Sequence, residues 1–266
     1  MAEPLETIEH DVLIVGAGGA GLRAAIAAAD LKVDTGLVTK SLLGKAHTVM
    51  AEGGIASALG NVDKEDGWPT HFYDTMKSGQ FINDWRMVDI FCKEAIDRVY
   101  ELEEWGALFD RTPDGKILQR PFGAHSWRRL CHVGDRTGLE LIRTCQDRVV
   151  ASDATVHQEV IVTRLLKDGD RISGALAYRR DKGSFVLFKC KAVAIATGGW
   201  GRVYRTTSNS WESTGDGIMI SFEAGAELQD MEMVQFHPTG MVWPPGVRGL
   251  LVTEAVRGDG GMLTNT

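Results

Sequence analysis

The chain has 266 residues, 44% of them apolar and 24% charged, the balance of a soluble globular protein rather than a disordered or fibrous one. A chain of this length buries roughly 70 to 75% of its unfolded surface, so no disulfide or metal staple is needed. Its net charge is -7 and no Lys/Arg run exceeds two residues, which argues against nucleic-acid binding. No apolar stretch approaches the ~20 residues that cross a bilayer, and the opening Met1-Ala2-Glu3-Pro4-Leu5-Glu6 is acidic where a signal peptide is basic. The expectation is a chain that stays in its compartment of synthesis.

Val12-Leu13-Ile14-Val15 is a short apolar run of the kind buried in a parallel sheet. It stops at Gly16-Ala17-Gly18-Gly19-Ala20-Gly21, after which Leu22, Ala25, Ile26 and Ala29 repeat with helical spacing and Leu37-Val38 begins a second strand. This βαβ unit carries the dinucleotide fingerprint in its proper context. The first glycine permits the tight turn, the second lets a pyrophosphate approach the backbone, and the third lets helix and strand pack closely. An acid about 20 residues further on would bind the ribose of NAD, but the second strand ends Thr39-Lys40-Ser41, which argues against a plain NAD dehydrogenase.

Further along, Val88, Phe91, Cys92, Ala95, Ile96 and Val99 predict one face of a packing helix, with Asn83 or Asp84 as N-cap and Gly106 near its end. Ile161 to Phe188 reads as a meander with a tight turn at Asp168-Gly169-Asp170, and Ala192 to Ala196 returns as a buried strand ending in Thr197-Gly198-Gly199. Pro238, Pro244, Pro245 and Gly246 crowd around the one expected domain boundary, near Gly240. Cys92, Cys131, Cys145 and Cys190 form no Cys-x-x-Cys pair and read as free thiols, and no metal site is expected.

One short loop after the second strand stands Lys45-Ala46-His47-Thr48-Val49-Met50-Ala51-Glu52-Gly53-Gly54. Here the sequence resembles the flavoprotein subunit of the succinate dehydrogenase and fumarate reductase family, whose flavin-linking motif reads Arg-Ser-His-Thr, two residues, Ala-Gln-Gly-Gly. The resemblance continues through Gly134-Asp135-Arg136-Thr137-Gly138, Ala196-Thr197-Gly198-Gly199, Thr214-Gly215-Asp216-Gly217, Gln229-Asp230-Met231-Glu232, Gln235-Phe236-His237-Pro238-Thr239-Gly240 and Thr253-Glu254-Ala255-Val256-Arg257-Gly258. It covers the chain from about Asp11 onward.

The resemblance implies an α/β fold: a doubly wound, Rossmann-like FAD-binding domain over residues 1–240 with an inserted β-meander, then the beginning of a capping domain over 241–266. It implies FAD held by Gly16, Ala17, Gly18, Gly19, Ala20 and Gly21, by Thr39, Lys40 and Ser41 on the adenosine side, and by Lys45, Ala46, His47, Thr48, Ala51, Glu52, Gly53, Gly54, Thr197, Gly198 and Asp216. His47 matches the histidine joined covalently to the flavin 8α methyl. His237, Thr253 and Phe122 match residues beside the dicarboxylate substrate, and Glu254 and Arg257 match members of a proton relay. The implied activity is succinate dehydrogenase, oxidising succinate to fumarate and passing electrons to an iron-sulfur subunit, then to membrane-anchor subunits that bind quinone. That places the chain peripherally at the cytoplasmic face of a membrane.

Fumarate reductase, running the same site in reverse, is the nearest alternative. L-aspartate oxidase shares the scaffold but usually lacks the linking histidine, and a flavin-binding fragment without turnover is a further reading. Lys45 for Arg, Ala46 for Ser, Glu52 for Gln, Leu139 for the usual His, and Gly123-Ala124 for Gly-Gly depart from the family pattern. The family's main acid/base arginine, a second substrate histidine and a second substrate arginine are expected beyond Thr266, so the chain reads as an N-terminal portion.

Overall fold

The computed structural model describes residues 5–265; the acidic opening through Pro4, and Thr266, lie outside the described residues. In chain order the elements are β1 (Glu6–Val15), α1 (Gly19–Asp30), β2 (Thr35–Val38), β3 (Ile55–Ala56), α2 (Trp68–Ser78), α3 (Trp85–Glu104), β4 (Gln119–Arg120), β5 (Leu130–Cys131), α4 (Thr137–Val150), β6 (Thr155–His157), β7 (Val160–Asp168), β8 (Arg171–Arg179), β9 (Ser184–Ile195), α5 (Asp216–Glu223) and α6 (Ala255–Gly258). They form two compact units: Met1–Thr48 with Cys145–Leu250, and Val49–Thr144 with Leu251–Thr266.

The first unit is built on a six-stranded sheet in the order β6-β2-β1-β9-β8-β7. The pairs β6·β2, β2·β1 and β1·β9 are parallel, whereas β9·β8 and β8·β7 are antiparallel. The parallel half, β6-β2-β1-β9, thus has the strand order of a mononucleotide-binding half, in which the order of strands, not their direction, reverses beside β1. Leu13, Val15 and Val38 from the parallel strands share one core with Val160, Val162, Ala175, Ala177, Val186 and Phe188 of the meander and Ile220 of α5. The α1 residues that repeat with helical spacing, Leu22, Ala25, Ile26 and Ala29, are all buried.

The sequence reading of the meander needs one correction. Instead of a meander followed by a separate buried strand, β9 is one strand of 12 residues that leaves the meander and enters the parallel sheet. Ala192 is exposed, Val193 and Ala194 are half-buried, and Ile195 is 38% exposed. The reason is lateral: β8 stops pairing at Gly174↔Lys189, so from Cys190 onward only β1 flanks the strand.

In the second unit the predicted helix is α3, whose N-cap is Asp84, its carboxylate accepting from the Arg86 N–H at 2.9 Å. Asn83 instead donates to the Thr75 carbonyl. The buried stripe is Val88, Cys92, Ala95, Val99 and Leu102. Phe91 and Ile96, expected on that face, flank it: at 100° per residue they stand roughly 60° and 80° from its midline, and Phe91 is 49% exposed. Met76 of α2 packs with Val88 and Cys92. A small sheet, β3-β5-β4, completes the unit. Among the described residues all four cysteines are free and buried, and burial pushes the Cys131 thiol up to about 12. No described helix is long and apolar enough to cross a membrane.

Candidate functional site

A cleft opens in the first unit beyond the carboxyl ends of β1, β2 and β9, where β1 has one parallel neighbour on each side. Such a crevice is where open α/β sheets bind ligands. Of the residues expected to hold FAD, Gly16, Ala17, Gly18, Gly19, Ala20, Thr39, Lys40, Ser41, Ala46, His47, Thr48, Thr197, Gly198 and Asp216 all line it. Gly21 does not, because its work is packing: a Cβ there would lie 1.7 Å from the Gly16 carbonyl oxygen. Gly16 itself has φ +111°, and a Cβ on it would meet the Ala196 carbonyl oxygen at 2.3 Å. The fingerprint is therefore a steric necessity of the turn between β1 and α1.

The start of α1 points backbone N–H groups that have no intrahelical partner, and the positive end of its dipole, toward an anion. Thr48 joins this end, its hydroxyl accepting from the Gly19 N–H at 3.1 Å. At the end of β2 the Lys40 ammonium donates to Asp216 and Thr214, each at 2.6 Å, and the Thr214 hydroxyl donates to Asp216 at 2.8 Å. Burial works to raise the Asp216 pKa, but the bonds from Lys40 and Thr214 and the Lys40 charge outweigh it and hold the carboxyl below its ordinary value. Helix α5 begins at this carboxylate, and Gly217 lets it approach: a Cβ there would overlap the Thr197 hydroxyl.

His47 opens the short 3-10 turn His47–Met50. Its Nδ1 accepts from the Ser210 N–H at 3.2 Å, which leaves Nε2 as the other hydrogen-bonding nitrogen of the ring. Desolvation by the surrounding protein lowers its pKa, with the Glu212 carboxylate opposing. The neutral imidazole is thus favoured. Lys45 is exposed and does not line the cleft. His237 belongs to the same unit and is exposed, with Nδ1 beside the Thr239 hydroxyl at 3.2 Å.

Ala51, Glu52, Gly53, Gly54, Phe122, Thr253, Glu254 and Arg257 all fall in the second unit. There Arg120 donates to the carbonyls of Glu52 and Gly53, both at 2.8 Å through Nη2, and pairs with Asp135 at 3.1 Å. The Thr253 hydroxyl donates to the same Asp135 carboxylate at 3.5 Å. Glu254 and Arg257 form an ion pair at 3.2 Å on the α6 turn, and the Arg257 Nε is buried without a partner. Glycines let this cluster close up: a Cβ on Gly53 would lie 2.9 Å from the Phe122 ring, and one on Gly123 2.8 Å from the Glu254 carboxylate.

Sequence reasoning missed Arg120, Ser210 and Glu212, and gave Asp135 no role beyond its motif. Only the Gly-Asp-Arg-Thr-Gly run pointed toward Asp135; no local spacing marked the others. Among the described residues no group of three or more His, Cys, Asp or Glu side chains is arranged to hold a metal ion.

The residues present fit FAD. Backbone donors at the start of α1 suit a pyrophosphate, Thr39, Lys40 and Ser41 offer hydroxyl and ammonium donors where a carboxylate is missing, and glycines keep the floor of the cleft open. Comparison with known proteins agrees. The model of a family described as "FAD binding domain" matches residues 11–266. The Mycobacterium smegmatis Sdh1 complex contains a chain with 53% identity and a TM-score of 0.91, over 98% of this chain and 46% of that one. A fumarate reductase (CoM/CoB) protein of Methanothermobacter marburgensis is 48% identical over 98% of this chain and 48% of its own length. The succinate dehydrogenase flavoprotein subunit of Rickettsia bellii is 40% identical over 100% of this chain and 45% of its own length. The chain thus spans about half the length of the curated relatives it matches. It belongs to the FAD binding domain family, among the flavoproteins related to the subunits of succinate dehydrogenase and fumarate reductase.

Proposed function

We propose that this chain is the FAD-binding portion of a flavoprotein subunit that oxidises succinate to fumarate, with His47 joined covalently to the flavin. The observation that carries the reading is the cleft itself, lined within a single unit by Gly16, Gly18, Gly19, Asp216 and His47. When bound, FAD supplies a two-electron hydride acceptor. The chain's own residues then bind and orient. The α1 N-terminus would hold the pyrophosphate, Lys40, paired with Asp216, would face the adenosine side of the cofactor, and Ser210 holds the His47 ring by Nδ1. His237 and Thr253 each offer a hydrogen bond to a substrate carboxylate, Phe122 packs beside the substrate, and Glu254 with Arg257 conducts the proton. We also propose the division into an FAD-binding domain over 1–240 and the beginning of a capping domain over 241–266. The partners are membrane-anchor subunits that bind quinone and an iron-sulfur subunit, with the flavoprotein peripheral at the cytoplasmic face.

A second reading, fumarate reduction, is favoured by the 48% identity to a relative named fumarate reductase. The same residues serve either direction. Both readings are tested on the holoprotein: acid-precipitated protein keeps its yellow flavin and a His47→Ser variant releases it, while succinate reduces a dye. A colourless wild-type precipitate rejects the covalent link. Fumarate reduction without succinate oxidation selects the second reading.

A further inference from the structure

The segment from Pro121 to Ser126 carries Phe122 and makes a tight turn. The His125 N–H donates to the Phe122 carbonyl, which makes Phe122 the first and His125 the fourth residue of the turn. Ala124, the third, has φ +64°, whereas Gly123 has no positive φ. That is the pattern of a type II turn, whose third position favours glycine because a Cβ there is crowded by the backbone. Ala124 therefore holds the turn in a conformation that its own side chain resists.

What opposes the resistance lies one residue past the turn. The Ser126 N–H donates to Asp74 at 2.8 Å and the Ser126 hydroxyl donates to the other oxygen of the same carboxylate at 2.7 Å. Asp74 sits on α2 and is paired at 3.0 Å with Arg129, which also binds Asp66 through two hydrogen bonds at 2.8 and 3.2 Å. Arg129 is fully buried, so this anchor has no freedom to follow the loop. Burial works to raise the Asp74 pKa, but the Ser126 bonds and the Arg129 charge outweigh it, so the carboxyl remains an ionised acceptor. At the other end the turn meets α6: Gly258 lies against the Pro121 carbonyl and Gly123 beneath the Glu254 carboxylate.

We propose that Ser126, clasped by Asp74, is a positioning residue for Phe122: the clasp holds the strained turn in the one arrangement that sets the Phe122 ring against Gly53 and Gly123 under Glu254. The consequence for substrate rests on the dicarboxylate reading above. Released from the clasp, the turn relaxes toward conformations that suit Ala124, and Phe122 leaves its place beside the substrate without any change at the cofactor cleft.

The test compares Ser126→Ala, Ser126→Thr, Ala124→Gly and the Ser126→Ala/Ala124→Gly pair in the FAD-loaded protein. Amide hydrogen exchange over 121–127, flavin content, and kcat and KM for succinate or fumarate are measured. Loss of one hydrogen bond to a carboxylate predicts faster exchange over the turn and a KM raised about tenfold in Ser126→Ala. Flavin content and kcat change far less, and Ser126→Thr, which keeps the hydroxyl, behaves as wild type. In the Ala124→Gly background the same serine deletion costs about threefold or less, because the turn no longer resists its conformation. An equal KM penalty in both backgrounds, or a Ser126→Ala protein with wild-type exchange and KM, overturns the proposal. If wild type turns over neither dicarboxylate, the functional reading fails by itself. The clasp then stands or falls on whether Ser126→Ala speeds exchange over the turn and Ser126→Thr restores it.

Discussion

The cofactor cleft of the first unit and the polar cluster of the second are built from different materials. The cleft is made largely of backbone and small side chains, glycine turns and the ends of α1 and α5, with the Lys40–Asp216 ion pair, His47 and Glu212 among its charged and titratable side chains. The cluster is made of side-chain charge, in which Arg129 joins Asp66 to Asp74, Arg120 joins Asp135 to two carbonyls, and Arg257 faces Glu254. A backbone site fails when a side chain is added. A charge site fails when one is taken away.

The largest effect expected from this contrast is at Arg129. Arg129→Met leaves the Asp66 and Asp74 carboxylates buried without their cation, and breaking a buried pair in this way costs about 3 to 5 kcal/mol. Denaturant titration should show the midpoint falling accordingly. Neutralising all three groups together, as Arg129→Met with Asp66→Asn and Asp74→Asn, should recover much of the loss. If the triple variant is no more stable than the single one, the charges are not what the cluster depends on.

The matching perturbation of the cleft is Gly21→Ala, which adds a single methyl where the Gly16 carbonyl already stands. Overpacking of this kind costs about 1 to 3 kcal/mol. The visible flavin absorbance of the purified protein should drop more steeply than its unfolding midpoint, because the displaced Gly16 turn lines the cleft itself. Full flavin occupancy in Gly21→Ala would show that the turn can move aside.

Those two sites also differ in how far the sequence exposed them. The glycines were legible because a forbidden Cβ dictates residue identity at fixed spacing; the stripe of α3 was legible because burial follows the helix period. Even there, the width of the stripe was overestimated, and Phe91 and Ile96 lie at its margins. Arg129 was illegible for a physical reason. Arginine ordinarily lies at the surface, and nothing local signals that this one is neutralised by carboxylates 63 and 55 residues away in the chain. The Ser126 clasp, spanning 52 residues, was hidden in the same way. Departures from the family pattern were informative: Ala124 in place of glycine marks the turn whose φ is positive.

The smallest effect expected is at Glu52, whose carbonyl is held by Arg120. The family pattern has glutamine at this position. On the reading proposed above, a carboxylate charge placed close to the bound flavin by this position would oppose the negative charge gained on reduction and lower the potential. Glu52→Gln should then raise the flavin potential by about 30 mV for each 1.4 kcal/mol of relieved repulsion. Superimposable potentials in the two proteins would mean that the carboxylate is silent.

The 12-residue strand β9 has a consequence for how the protein is made. It pairs with β1 along its length, and Val15 meets Ile195 only after 180 intervening steps of synthesis. At about 5 to 20 residues per second a ribosome needs roughly 10 to 40 seconds to supply that partner. Until then Leu13, Ile14 and Val15, the apolar strand that leads into the glycine turn, have no β9 edge to close against. The cofactor cleft, framed by both strands, cannot exist before the emerging chain has passed residue 195. Flavin insertion is thereby ordered after most of the first unit has been translated, and the apolar edge of β1 waits through that interval for its long-range partner.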